Sequence, residues 1–206
     1  MHFRSAEQPK DTNQRQLKLY IGVSEHQYLH LDLEYDLRRG GTASDNDAVV
    51  FKFTNIACES YNKSWVVFEN CRLKAVRRDK VLLNLNATLL NPAHGVTIHG
   101  RILKRASGYK PWLVDVTFDA CRFMRKQNVP VAKLIFGLFE EFTNINHSCP
   151  FVGPQVIKDL YLKPELLRLP LPTGDYMLAL RWFFEKRQVS DTNFSFVFIE
   201  DLMKSK

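Results

Sequence analysis

Apolar and polar residues alternate with a period of two through much of the chain after residue 48, which is typical of β-strands buried on one face. The clearest such segment covers residues 80–90. Its apolar face consists of Val81, Leu83, Leu85, Ala87 and Leu89. The opposite face carries Asn84, Asn86 and Thr88. The pattern therefore predicts a strand whose polar side, including Asn86, faces water.

Further segments repeat this alternation. They cover residues 49–53, 65–75, 96–103, 112–120, 175–184 and 193–199. The first two are predicted to pair with each other as a hairpin, and residues 107–111 are predicted to form a turn. In the strand that follows this turn, the residues expected to face inward are Trp112, Val114, Val116 and Phe118.

The period changes after Pro130, where apolar residues recur at helical spacing opposite Lys133, Glu140 and Glu141. One α-helix of about three turns is predicted near residues 130–142. Prolines then interrupt the pattern until residue 175. Several short strands with one-sided burial and a single late helix predict a mainly β fold, an immunoglobulin-like β-sandwich of two sheets.

The first 46 residues differ in character from the rest of the chain. They are polar and end in a stretch rich in Gly, Ser and Asn, which favours a flexible backbone. We expect a poorly ordered extension over residues 1–46 and one domain over residues 47–203. The extension contains no apolar run of the length typical of a signal peptide. Apolar runs throughout the chain are strand-sized, so no transmembrane segment is predicted.

The net charge of +7 is carried by the domain, since the first 50 residues hold 6 Lys and Arg against 8 Asp and Glu. A basic surface attracts anionic partners. Nucleic-acid binding, however, needs exposed aromatic residues among the charges or a recognition module. Neither is visible in the sequence, so a solvated basic surface without a nucleic-acid partner is predicted.

Cysteines and glycosylation sequons indicate an oxidising compartment. The four cysteines are Cys58, Cys71, Cys121 and Cys149, and none forms the C-x-x-C pair typical of metal or redox sites. The four Asn-x-Ser/Thr sequons begin at Asn62, Asn86, Asn146 and Asn193. Together they favour a secreted, disulfide-bonded glycoprotein.

Catalysis has little support in the sequence. It contains no G-x-S-x-G, H-E-x-x-H or P-loop motif. Asp115 and Asp119 share a strand face, but four residues separate them by about 13 Å, which exceeds the carboxylate spacing of glycosidases. We therefore predict a protein that is not an enzyme and that uses no metal or cofactor.

Several short phrases carry a resemblance to a known family. They are FTNIACES at residues 53–60, CRLKAV at 71–76, GYKP at 108–111, NHSCP at 146–150 and LPLPTGDY at 169–176. Over residues 51–198 the chain resembles a large insect family of unknown function. That family is similar to the chemosensory B proteins and, more distantly, to the ML lipid-recognition sandwiches typified by the ganglioside activator protein.

The resemblance implies a secreted protein that binds a small hydrophobic molecule or lipid between its sheets, in chemosensory or lipid-presentation roles. Candidate cavity residues are taken from the inward faces of the predicted elements. They are Leu83, Leu85, Val114, Val116, Leu134, Leu138, Tyr176, Leu180, Trp182 and Phe196. The alternative is a filled core in an extracellular interaction module that contacts a membrane receptor or channel through residues 107–111.

Four cysteines allow three disulfide pairings, and the sequence does not choose among them outright. We favour Cys58 with Cys71, which would close the predicted hairpin around Asn62. Cys121 would then pair with Cys149 and tie the end of a strand to the end of the helix.

Overall fold

The computed structural model describes residues 49–78, 80–167, 169 and 171–200. The extension predicted over residues 1–46 lies outside this part of the chain, as do residues 47–48, 79, 168, 170 and 201–203 of the predicted domain. The described strands are β1 (Val50–Ser60), β2 (Val66–Ala75), β3 (Val81–Ala93), β4 (Val96–Ala106), β5 (Gly108–Asp119), β6 (Phe151–Leu160), β7 (Gly174–Phe184) and β8 (Arg187–Ile199). The α-helices are α1 (Ala120–Lys126) and α2 (Pro130–Phe136), and single 3₁₀ turns occupy Glu140–Phe142 and Pro164–Leu166.

The strands form two antiparallel sheets. The large sheet has the order β1-β8-β7-β4-β5, and the small sheet has the order β2-β3-β6. Their inner faces meet in one apolar core. The predicted mainly β, two-sheet sandwich is therefore confirmed.

The strand β3 shows the predicted alternation clearly. Leu83, Leu85, Ala87 and Leu89 are buried, whereas the residues between them are only half-buried. As the central strand of the small sheet, β3 presents its apolar face to the large sheet. The period-two pattern was a sound guide to which side of a strand faces the core.

The predicted hairpin between the first two strands is wrong. β1 pairs with β8 in the large sheet, whereas β2 pairs with β3 in the small sheet. The disulfide between Cys58 and Cys71 therefore joins the two sheets instead of closing a hairpin. Alternation along a strand predicts its buried face but carries no information on its partner, which is set by residues far away in the sequence.

The sequence pattern missed β6, because the prolines in and around it were interpreted as breaks. Pro154 lies in this edge strand, where a missing N–H is tolerated. The side chain of Asn144 covers the free edge: its Oδ1 accepts a hydrogen bond from Val156 N at 2.8 Å, and its Nδ2 donates to Pro154 O at 2.8 Å. An amide side chain thus takes the place of a neighbouring strand.

The helix predicted near residues 130–142 is shorter in the structure, where α2 covers only Pro130–Phe136. α2 ends at Phe136 with Gly137 at its C-cap, and the chain resumes only as a 3₁₀ turn at Glu140–Phe142. Glycine favours a helix end because its backbone loses more conformational entropy in a helix than that of other residues. The preceding helix α1 was not predicted; Asp119 caps it by accepting a hydrogen bond from Arg122 N at 2.8 Å.

In β5 the prediction of the inward face is correct after Leu113 and wrong before it. Val114 is buried, and Val116 and Phe118 are half-buried on the inner face, but Trp112 is 36% exposed. Leu113 has a φ of 55°, and the pairing with β4 shifts register nearby. A residue in the left-handed region breaks the alternation, so Trp112 turns outward.

Candidate functional site: an apolar cavity between the sheets

A cavity of about 230 Å³ lies between the two sheets. Its floor is the inner face of the large sheet, including Ile98, Gly100 and Leu180, and its other walls come partly from the small sheet, including Leu85 and Ala87. The large sheet has two more strands than the small one, so the small sheet cannot cover it completely. Helices and loops complete the enclosure.

Side chains from α1, α2 and the loops on either side of β6 form the remaining walls. Phe123 and Phe136 contribute from the helices, where they pack edge to face with ring centroids 5.9 Å apart. Leu162 and Leu171 contribute from the segment between β6 and β7. Cys121 of α1 is bonded to Cys149, which fixes the helical segment to the residues just before β6. Aromatic and aliphatic side chains thus close the sandwich where it lacks strands.

Most of the residues predicted for a cavity lie on its wall. Those that line it are Leu85, Val114, Val116, Leu138, Leu180, Trp182 and Phe196. Three others do not: Leu83 and Tyr176 are completely buried in the surrounding core, and Leu134 is half-buried outside the lining. The structure therefore brings together candidates from both sheets and the segment after α2.

Sequence reasoning missed much of the wall because it did not recognise the elements that carry it. Phe123 lies in the unpredicted helix α1, and Ile157 lies in the unpredicted strand β6. Gly100 was also missed, although a glycine on the apolar face of a strand can mark a site that a ligand or another backbone approaches closely. A Cβ added at Gly100 would contact Leu180 Cδ2 at 3.3 Å.

Polar side chains on the cavity wall are few. Gln155 on β6 and Ser190 and Thr192 on β8 line it, and all three are buried. Thr192 Oγ1 accepts a hydrogen bond from Trp182 Nε1 at 3.0 Å, and Gln155 Nε2 donates to Val152 O and Gly153 O at 3.3 and 3.4 Å. Among the described lining residues, none is charged. The chemistry available is apolar contact with isolated neutral hydrogen-bonding groups.

Tyr176 is completely buried in the apolar core. Its ring stacks on that of Phe196, with centroids 5.6 Å apart, and its hydroxyl donates to Pro172 O. Burial raises the pKa of Tyr176 above its usual value of 10.0, because the phenolate would lose its hydration. Tyr176 is therefore neutral at physiological pH and contributes to packing.

The four sequon asparagines occupy different environments. Asn146 is exposed, whereas Asn62 and Asn193 are half-buried. Asn62 Oδ1 accepts hydrogen bonds from Ser64 Oγ at 2.6 Å and from Ser64 N at 3.1 Å. Asn86 does not simply point into water: it is half-buried, and its Oδ1 is enclosed with no hydrogen-bond partner in the described part of the chain. Glycosylation at these positions stays a prediction.

Aromatic residues are exposed near the hairpin between β4 and β5. Tyr109 is 40% exposed, and Trp112 is covered partly by Lys104, whose Nζ lies 4.9 Å from the ring centroid. This hairpin contains the segment 107–111 that the alternative hypothesis assigned to partner contact. Tyr109 and Trp112 do not line the cavity.

The fold and the cavity define a disulfide-bonded β-sandwich with an apolar interior. Residues 98–178 match the model of a family described as protein of unknown function (DUF1091). This match begins within β4, covers β5, both α-helices and β6, and ends within β7, so it includes the Cys121–Cys149 disulfide. Comparison with curated proteins found no match. Among the described residues, no helix is long and apolar enough to cross a membrane.

Proposed function

We propose that this chain is a secreted binding protein, not an enzyme, that carries a small hydrophobic molecule in the cavity between its sheets. The observation that supports the proposal most strongly is the cavity itself, with its wall of aliphatic and aromatic side chains. Protein interiors normally pack without voids of this size. Burial of apolar ligand surface yields about 25 cal/mol per Å² before the costs of binding are subtracted.

The cavity volume limits the size of the ligand. An engineered apolar cavity of about 150 Å³ holds benzene, which has six non-hydrogen atoms. In proportion, the 230 Å³ here corresponds to a ligand of about nine non-hydrogen atoms. Such a molecule is closer to a medium-chain aliphatic compound or a monoterpene in size than to a membrane lipid with two acyl chains.

The proposal that the protein is secreted rests on observations other than the cavity. Both disulfides persist best in an oxidising environment, and four sequons accompany them. The resemblance to the insect family related to the chemosensory B proteins and to the ML lipid-recognition sandwiches points in the same direction. A role in chemosensation or lipid presentation would place a carrier of small hydrophobic molecules outside the cell.

Solvent extraction and mass spectrometry of the protein purified from the medium of secreting cells test the proposal. A co-purified hydrophobic compound is expected from the native chain. The variant Leu138→Trp, which adds an indole ring at the cavity wall, should lose the compound while its near-ultraviolet circular dichroism remains that of a folded protein. Tyr109→Ala is the matched control, because its side chain lies outside the cavity, and it should retain the compound.

The exposed hairpin aromatics support a second candidate function, an extracellular module that contacts a receptor or channel. Exposed tyrosine and tryptophan are common in binding surfaces. The variants Leu138→Trp and Tyr109→Ala distinguish the two candidate functions. If Tyr109→Ala abolishes partner capture and Leu138→Trp changes nothing, the interaction module is correct and the carrier proposal is wrong.

A further inference from the structure

The chemistry of the cavity wall restricts which hydrophobic molecules it can hold, provided that the proposed carrier function is correct. None of the described lining side chains carries a charge. Burying an unpaired carboxylate or ammonium group costs several kcal/mol, so a ligand would have to be uncharged inside this cavity. An ionised fatty acid or amine would find no charged partner among these side chains, which disfavours both as occupants.

The side chain of Gln155 supplies a fixed hydrogen-bond acceptor on this wall. Gln155 is only 8% exposed. Its Nε2 donates to the backbone oxygens of Val152 and Gly153, which orients the amide. No described residue donates a hydrogen bond to its Oε1. Because this oxygen remains available as an acceptor, a ligand that donates to it gains a hydrogen bond that a ligand without a donor cannot make.

Functional groups of small neutral lipids differ in their ability to make this contact. Ethers, esters, ketones and aldehydes only accept hydrogen bonds, and amines are charged at neutral pH. A hydroxyl group donates one hydrogen bond and also accepts. It could therefore donate to Gln155 Oε1 while its alkyl chain packs against the apolar wall.

We infer that the cavity selects an uncharged aliphatic alcohol of about nine non-hydrogen atoms, with its hydroxyl donating to Gln155 Oε1. This inference deepens the proposed carrier function and depends on it. Neither the cavity volume nor its apolar lining alone distinguishes an alcohol from a hydrocarbon or an ether. The amide oxygen of Gln155 makes this distinction, because only the alcohol can donate a hydrogen bond to it.

A set of three probes tests this preference on the full-length, oxidised chain. The alcohol is 1-octanol, and its isomer 1-methoxyheptane has the same atoms but only accepts hydrogen bonds. Octanoate at pH 7 provides the charged comparison. Dissociation constants are measured by fluorescence titration, since Trp182 lines the cavity. We expect 1-octanol to bind about fivefold more tightly than the ether, a factor within the range of one net hydrogen bond, and octanoate to bind most weakly.

The variant Gln155→Met keeps an unbranched side chain but removes the acceptor oxygen. It should reduce the fivefold preference for the alcohol over the ether to about one, with little change for the ether. An equal preference in the native chain, a preference that persists in Gln155→Met, or tightest binding of octanoate would each overturn the inference. In those cases the carrier function stands. If none of the three compounds binds the native chain, the carrier function itself fails, and the inference fails with it.

Discussion

The substitution Gly100→Val tests whether the space between the sheets is empty. Gly100 lies on the inner face of β4, and a side chain at this position would project into the cavity wall next to Leu180. Its φ does not lie in the left-handed region. A β-branched residue is also favoured in a strand. Valine is therefore compatible with the backbone, and the outcome depends on the available volume.

The expected effect follows from three contributions. Burying a valine side chain contributes about 2 kcal/mol. Replacing glycine restricts the unfolded chain and contributes about 0.7 kcal/mol more. The added Cβ would meet Leu180 Cδ2 at 3.3 Å, and a shift of that side chain costs about 1 kcal/mol. We therefore expect Gly100→Val to raise the free energy of unfolding by about 1.7 kcal/mol.

Urea denaturation followed by tryptophan fluorescence measures this change. Gly100→Ala is the matched control: it introduces the contact with Leu180 but fills little space, so we expect an increase of only about 0.5 kcal/mol. In a filled core, the valine would overpack and lower the free energy of unfolding by about 1–3 kcal/mol. A destabilised Gly100→Val variant would therefore refute the cavity.

Three further predictions concern the framework around the cavity. Replacing Cys58 and Cys71 together by alanine should lower the free energy of unfolding by about 2.9 kcal/mol in thermal or urea denaturation, given their separation of 13 residues; no loss would mean that the bond does not restrict the unfolded chain. Because the pKa of Tyr176 is raised on folding, its contribution to stability is complete below pH 10.0 and is lost as the pH rises through the folded value. Tyr176→Phe should reduce this alkaline loss, and an unchanged profile above that pH would contradict the assignment. Asp119→Ala should cost about 1 kcal/mol by removing the cap of α1, whereas Asp119→Asn should cost much less; equal losses would argue against capping.

Short-range patterns in the sequence predicted local features well. The alternation in β3 identified its buried face, because a strand between core and solvent needs one apolar side. The same reasoning failed at Trp112, where the positive φ of Leu113 breaks the alternation. Nothing in the side-chain pattern signals that backbone conformation, since leucine rarely adopts it.

Long-range features were harder to predict. The partners of β1 and β2 depend on contacts with β8 and β3, and the order of strands in a sheet is not encoded in any single segment. The cavity was likewise only partly predictable from the sequence. Its candidates from β5 and β7 could be found by alternation, but the enclosure also needs Phe123 from α1, an element that the pattern did not reveal.

Crystal diffraction from the protein soaked with 8-bromo-1-octanol shows whether a hydrophobic molecule binds between the two sheets. We expect one anomalous bromine peak between the sheets, among the side chains that line the cavity, such as Leu180 and Trp182. Bromine found only on the outer surface, or an interior whose side chains leave no space for the compound, would contradict a carrier with a cavity between its sheets.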